Sequence, residues 1–331
     1  MSTVLKHRLF WPALALVVLL LGNLIFTPHF FSIEIRNGQL YGSLIDILRL
    51  SAPLILVSVG MTMVIATGGI DLSVGSVMAV AGALACLHIS TGGSVLVACV
   101  LALGLALILG VWNGFLVSVV GLQPIIATLI LMVAGRGLAQ LITEGQIITV
   151  NSPAYRFIGA GYFLTFPFAV IIAAVVVALS LVLTRRTALG MLVESVGGNA
   201  RASRLAGIRS RTLIWAVYAF TGFCAGIAGL MATANVSSAD GNAVGSLIEL
   251  NAILAVVIGG TSLAGGRFSI AGTVLGALLI QALDTTIYTT GVPAQTTQLF
   301  KALVVIVLCL MQSPVFRRKI ARRRLVSRVA A

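Results

Sequence analysis

The residues able to carry covalent chemistry are few in this chain, and they are spaced wrongly for it. There are three histidines (His7, His29, His88), four cysteines (Cys86, Cys99, Cys224, Cys309) and three lysines (Lys6, Lys301, Lys319). A phosphate-cradling loop needs a lysine directly after glycine, and none of the three lysines follows one. The histidines form no His-Glu-x-x-His motif and no ligand cluster for a metal, and no Gly-x-Ser-x-Gly nucleophile elbow occurs. Each cysteine stands alone in an apolar run, without metal-ligand or redox spacing, and reads as a small buried apolar residue. No catalytic residue and no metal site are therefore assigned.

What remains is polarity set inside apolar runs: Asp46, Arg49, Asp71, Arg136, Glu249 and Asp284. A charge at the centre of a membrane helix costs about 2.5–3.5 kcal/mol, so each needs a reason. Asp46 and Arg49 are three apart and can pair on one helix face. Asp71-Leu72-Ser73 can cap the helix that follows, with substrate contact as the other reading. Arg136 can snorkel, and Glu249 opens a run where an acid suits the helix dipole. Asp284, with Gln281 and Thr285, is the deepest. Uncharged Asn113, Gln123, Thr128, Gln140, Asn251 and Gln281 either hydrogen-bond between helices or line a wet path for a hydroxyl-rich solute. Such a solute needs donors and acceptors but no fixed opposite charge. The candidate path residues are Asn113, Thr128, Asn251, Gln281 and Asp284.

The elements that must position these residues follow from composition. The chain has 331 residues, 59% hydrophobic and 9% charged, against about 45–50% apolar and 25% charged in soluble domains. A soluble fold of this length cannot hide so much apolar side chain. The expected fold is all-α, a polytopic membrane protein of about ten transmembrane helices, at about 20 apolar residues each. The runs are 10–26, 44–66, 73–90, 94–118, 124–143, 164–184, 212–234, 248–264, 270–289 and 299–313, in one domain covering 1–331. The first lacks a small-residue cleavage site after it and is read as an uncleaved helix. Between the second and third lies only Gly68-Gly69-Ile70-Asp71, a broken helix whose backbone must be covered by protein or water.

The net charge is +13, but the basic residues fall between apolar runs and at the chain end, not on a solvated face with interleaved aromatics, so no nucleic acid is expected. With both termini inside, 16 of the 21 basic residues are cytoplasmic, as the positive-inside rule requires. They concentrate in a loop at about 185–211 and a tail at about 314–331 suited to anionic lipid. Small-xxx-small pairs at Gly110–Gly114, Gly222–Gly226 and Gly272–Gly276 allow close helix approach. Gly68-Gly69-x-x-Leu72-x-x-Gly75 is echoed by Gly259-Gly260-x-x-Leu263-x-x-Gly266, as in a duplicated transporter.

Five segments in order carry a resemblance: Gly69-Ile-Asp71-Leu-Ser73-Val-Gly75-Ser76; Gly110-Val-Trp-Asn113-Gly114; Thr128-Leu129 with Arg136-Gly137; Thr187 through Gly197-Gly198-Asn199 to Ile208; and Gly259-Gly260-Thr-Ser-Leu-Ala-Gly-Gly-Arg267. From about the second run onward the chain resembles permeases of the ribose, xylose and galactoside class of bacterial ABC sugar importers, and within it looks most like those of galactofuranose importers. Phe268, Ile130 and Ala302 depart from the class pattern by packing residues.

The resemblance implies a type II ABC-importer-like permease in the bacterial inner membrane. Its expected partners are ABC ATPase subunits, a second permease copy or paralogue, a periplasmic sugar-binding protein and the sugar. It implies no cofactor in this chain, since ATP and Mg are bound by the ATPase, and no enzyme activity. Gly69, Asp71, Ser73 and Gly75 would be structural. Gly190, Gly197, Gly198, Asn199, Leu205 and Gly207 would form the ATPase-coupling loop. Gly190 and Gly197-Gly198 would turn sharply around a short helix, and Asn199 would cap a second one closed by Gly207. The alternative is an ion-coupled secondary transporter relying on Asp71 and Asp284.

Overall fold

A computed structural model describes residues 9–26, 30–36 and 38–289, and beyond these 296, 298, 299, 301–303 and 306. The basic tail, Cys309 and most of the tenth apolar run lie outside the described residues. The helices are α1 (Phe10–Phe26), α2 (Ser43–Ala66), α3 (Val74–Ser90), α4 (Val95–Phe115), α5 (Pro124–Ile142), α6 (Pro153–Ala160), α7 (Phe168–Arg186), α8 (Leu189–Gly198), α9 (Ala200–Leu205), α10 (Ser210–Val236), α11 (Ile248–Ile258) and α12 (Ile270–Thr289).

Nine of the ten expected runs coincide with a helix. Among the described residues, six helices are long and apolar enough to cross a membrane: α2, α4 with its π-helical extension to Val120, α5, α7, α10 and α12. α1 and α3 have 17 residues each and α11 has 11. α11 stops at Ile258, short of the expected 264, because the glycine pair after it leaves the helix, with Gly260 at φ 83°.

The chain is not purely helical. Three two-stranded antiparallel ladders stand in the connections: β1 (Glu34–Arg36) with β2 (Gln39–Tyr41), β3 (Ile148–Thr149) with β6 (Ser238–Ala239), and β4 (Tyr162–Phe163) with β5 (Phe166–Pro167). The last displaces the start of α7 from the expected 164 to Phe168.

α2 and α3 form the centre. Most residues of both are buried, 17 of 24 in α2 and 12 of 17 in α3, as fits core helices. α3 is built largely of Ala, Gly and Ser, which lets neighbours approach its backbone. α4, α5, α7, α10, α11 and α12 surround the pair, and α1 packs on α12, with Asn23 Nδ2 donating to Thr286 Oγ1 at 2.7 Å. Outward-facing Leu96, Val100, Ile108, Val175 and Leu179 are exposed and suit lipid.

The glycine pairs sit at these crossings. Gly110 of α4 faces Gly222 of α10, and Gly272 and Gly276 of α12 face Gly259 and Ala255. A methyl group at any of them would run into backbone of the partner helix. Cys86 is less isolated than expected: its Sγ lies 3.9 Å from the hydroxyl of Tyr155, which also bonds Thr233 Oγ1 at 2.6 Å.

Two expectations fail for a conformational reason. Gly190, Gly197 and Gly198 do not turn; all three are helical residues of α8. The glycine echo is not a conformational repeat: the left-handed residue is the first glycine of one copy, Gly68 at φ 84°, and the second of the other, Gly260 at φ 83°. Gly75 is helical, whereas its counterpart Gly266 is at φ 75°.

Candidate translocation and coupling sites

The break between α2 and α3 organises the first polar cluster. α2 ends at Ala66 with Thr67 as its C-cap, Gly68 takes the left-handed region, and the Gly69 amide returns to the Val64 carbonyl at 3.1 Å. The chain then runs to α3 with Asp71 only 2% exposed. Asp71 Oδ1 accepts from the Ser73 amide at 2.9 Å and the Ser73 hydroxyl at 2.6 Å. The expected side-chain cap does not form, since Ser73 at the start of α3 accepts no bond from an α3 amide through its side chain. Asp71 orders the turn onto Ser73, where its charge meets the positive end of the α3 dipole, and it bonds no deeper amide of α3.

Two expected path residues join this cluster. Asn113 Nδ2 donates to Ser73 Oγ at 2.8 Å, and Thr128 Oγ1 donates to the carbonyls of Ile70 at 3.2 Å and Pro124 at 2.9 Å. Both side chains are wholly buried, so in this conformation they tie α4 and α5 to the break. Ser76, which sequence reasoning passed over, adds bonds to the Ser73 and Leu131 carbonyls. Tyr218 was also missed; its hydroxyl lies against Gly69 and explains why no side chain fits there.

Asn251 and Asp284 belong to a second cluster. Lys301 Nζ lies 2.8 Å from Asp284 Oδ1 and 2.9 Å from Oδ2, and donates to Asn251 Oδ1 at 3.3 Å. A buried carboxylate in an apolar run is stable when an opposite charge meets it. Lys301 sits in an apolar run of its own, and that was the available signal for the pair. Gln281 is half-buried one turn from Asp284, and its side chain takes no hydrogen bond among the described residues. The five path candidates therefore do not line a single surface.

Arg136 does not snorkel. Its Nη1 donates to the carbonyls of Val244 at 2.7 Å, Gly241 at 3.0 Å and Asn242 at 3.2 Å. Gln140, one turn on, bonds Asn242 Oδ1. The loop 240–247 is thereby held to α5, and its Gly245 meets the Gly75 backbone at the start of α3. Asp46 and Arg49 pair as expected, at 3.0 Å.

The loop 187–209 folds into α8 and α9. Asn199 Oδ1 accepts from the amides of Arg201 at 3.0 Å and Ala202 at 2.9 Å, and Gly207 closes the second helix at φ 86°. Val193 is buried with Met63, Val64 and Ala66 of α2, and Phe268 packs on the same group. On the opposite side Met191 and Leu205 are exposed, Leu205 at 86%. Gly198 faces open space, whereas Gly197 packs against the Ala66 carbonyl and Gly190 against the Thr184 carbonyl.

Residues 43–309 match the family described as the branched-chain amino acid transport system / permease component. Among curated proteins, the chain is 48% identical over 320 residues to the galactofuranose transporter permease protein of Escherichia coli, covering 95% of this chain and 94% of that one. It is 46% identical over 317 residues to the fructose import permease protein of Bifidobacterium longum, covering 94% and 89%. With the ribose import permease protein of Escherichia coli it shares 36% over 304 residues, covering 91% and 92%. No solved structure matches the chain.

Proposed function

The chain belongs to the family of permease components of the branched-chain amino acid transport system type, and from that membership we propose that it is the membrane subunit of an ATP-driven sugar importer. The carrying observation is near-complete coverage by permeases named for galactofuranose, fructose and ribose. Galactofuranose is the proposed substrate, on the 48% identity. A periplasmic binding protein delivers the sugar, and two permease chains enclose the path. Separate ATPase subunits bind ATP and Mg and shift the permeases between outward-open and inward-open populations.

The α8–α9 pair is the proposed ATPase dock. It exposes Met191 and Leu205 on one side and is braced against α2 on the other, as a lever must be. The proposed orientation places both termini, this pair and the basic tail in the cytoplasm, and completes ten spans with the tenth apolar run.

The test is uptake in proteoliposomes holding the permease, its ATPase and its binding protein, with galactofuranose, fructose and ribose offered separately. ATP-dependent accumulation of galactofuranose above the other two is expected. Uptake that persists with a hydrolysis-dead ATPase would return the ion-coupled alternative. A tag after Ala331 labelled by an impermeant reagent on intact cells would overturn the orientation.

A further inference from the structure

Three glycine-bearing segments, far apart in the chain, meet beneath α8. The Gly266 amide donates to the Ala66 carbonyl at 3.0 Å, joining the end of α2 to the linker between α11 and α12. Gly197 of α8 lies on that same bond. A methyl group there would collide with the Ala66 oxygen and stand 2.6 Å from the Gly266 nitrogen. Gly265, at φ 82°, is pressed between Gly197 and Gly68, and a side chain on it would stand 2.8 Å from the Gly197 oxygen and 3.0 Å from the Gly68 nitrogen. Gly266, at φ 75°, faces Gly198 backbone. No side chain separates the three backbones at this point. Backbone contact of this kind is stiff, because it has no rotamer to absorb a displacement.

α8 is held at two further places, by Gly190 against the Thr184 carbonyl and by Val193 buried against α2. A crevice of about 320 Å³ runs along its other flank, bordered by Thr184, Met191, Glu194, Phe268 and Ile270.

We infer that the Ala66–Gly197–Gly266 contact is the joint through which movement of α8 enters the membrane helices, making Gly197 and Gly266 positioning residues for coupling. This rests on α8–α9 being the ATPase dock. The joint drives α2 and the α11–α12 linker together, because one hydrogen bond already binds them. α2 then carries the movement to the break at Asp71. The flanking helices α7 and α10, although continuous with the loop, are secondary routes.

The test uses the whole transporter in proteoliposomes, with Gly197→Ala and Gly266→Ala compared with Gly104→Ala on α4, whose added methyl meets open space. Both joint variants should retain co-purifying ATPase. The sugar moved per ATP hydrolysed should fall about tenfold, the size of an ordinary allosteric coupling, while Gly104→Ala matches the unmodified chain. A wild-type transport ratio in Gly197→Ala overturns the joint. Should that variant not accumulate, hydrogen exchange on the unmodified complex decides: segment 262–268 should change protection between nucleotide-free and ATP-bound states together with 190–198. Change in 190–198 alone overturns the joint. Failure of the ATPase to bind the unmodified permease removes the dock itself, an outcome visible before any variant is made.

Discussion

Asn113 on α4 donates to the hydroxyl of Ser73 at 2.8 Å, so the mouth of α3 is held by a helix that begins beyond the next connection. Ser73 passes the bond on to Asp71 at 2.6 Å. Interhelical hydrogen bonds inside membranes average about 0.6 kcal/mol and reach about 1.7. Asn113→Ala and Ser73→Ala should each lower thermal stability of the purified permease. The pair should be non-additive by about 0.5–1.7 kcal/mol, the low part of the range for groups in direct contact, as befits one membrane hydrogen bond. Strict additivity in a double-mutant cycle would show that the bond does not operate in the membrane.

Glycines at crossings should be intolerant and glycines facing outward should not. Gly222→Val puts branched carbon into the Gly110 and Ala106 backbones, and the α4–α10 crossing should open. Gly104→Ala meets nothing and should gain up to about 1 kcal/mol from helix propensity alone. Membrane abundance and melting of the two variants check this; equal stability would contradict the packing.

The Lys301–Asp284 pair is largely shielded from solvent, at 16% and 18% side-chain exposure, and should behave much as a buried ion pair does. Removing one partner strands the other, at about 3–5 kcal/mol. Asp284→Ala and Lys301→Ala should therefore each be poorly stable, and the double replacement Asp284→Asn with Lys301→Met should recover much of the loss. If the double variant melts no higher than the singles, the pair is not the reason for the charges.

Leu205 is exposed at 86%, so Leu205→Asp should leave the fold and membrane insertion intact. On the proposed dock it should remove ATPase co-purification, because an apolar contact becomes a charge in a desolvated interface. Unchanged co-purification and sugar-stimulated hydrolysis would move the dock elsewhere.

Arg136→Ala removes the Nη1 that donates to all three carbonyls. The loop 240–247 should loosen, read as faster hydrogen exchange at 240–247 with the core unchanged. Unaltered exchange would mean that the loop is held by Gly245 against Gly75 instead.

The membrane class, the position of nine helices and the Asn199-capped pair α8–α9 were legible along the chain. They rest on local quantities: apolar run length, charge between runs, a capping side chain before a short helix. Glycine positions were legible as well, but their use was not. Gly197 and Gly198 are identical neighbours in sequence; one carries the Ala66 contact and the other faces open space, because 100° of helix rotation separates them. Asn113 and Asn251 also read alike, as polar residues in apolar runs. Only packing sent one to Ser73 and the other to Lys301, since a hydrogen bond between helices depends on which faces meet. Arg136 shows the same limit: a long cation near a span end can reach water or protein, and three carbonyls of a distant loop decided it.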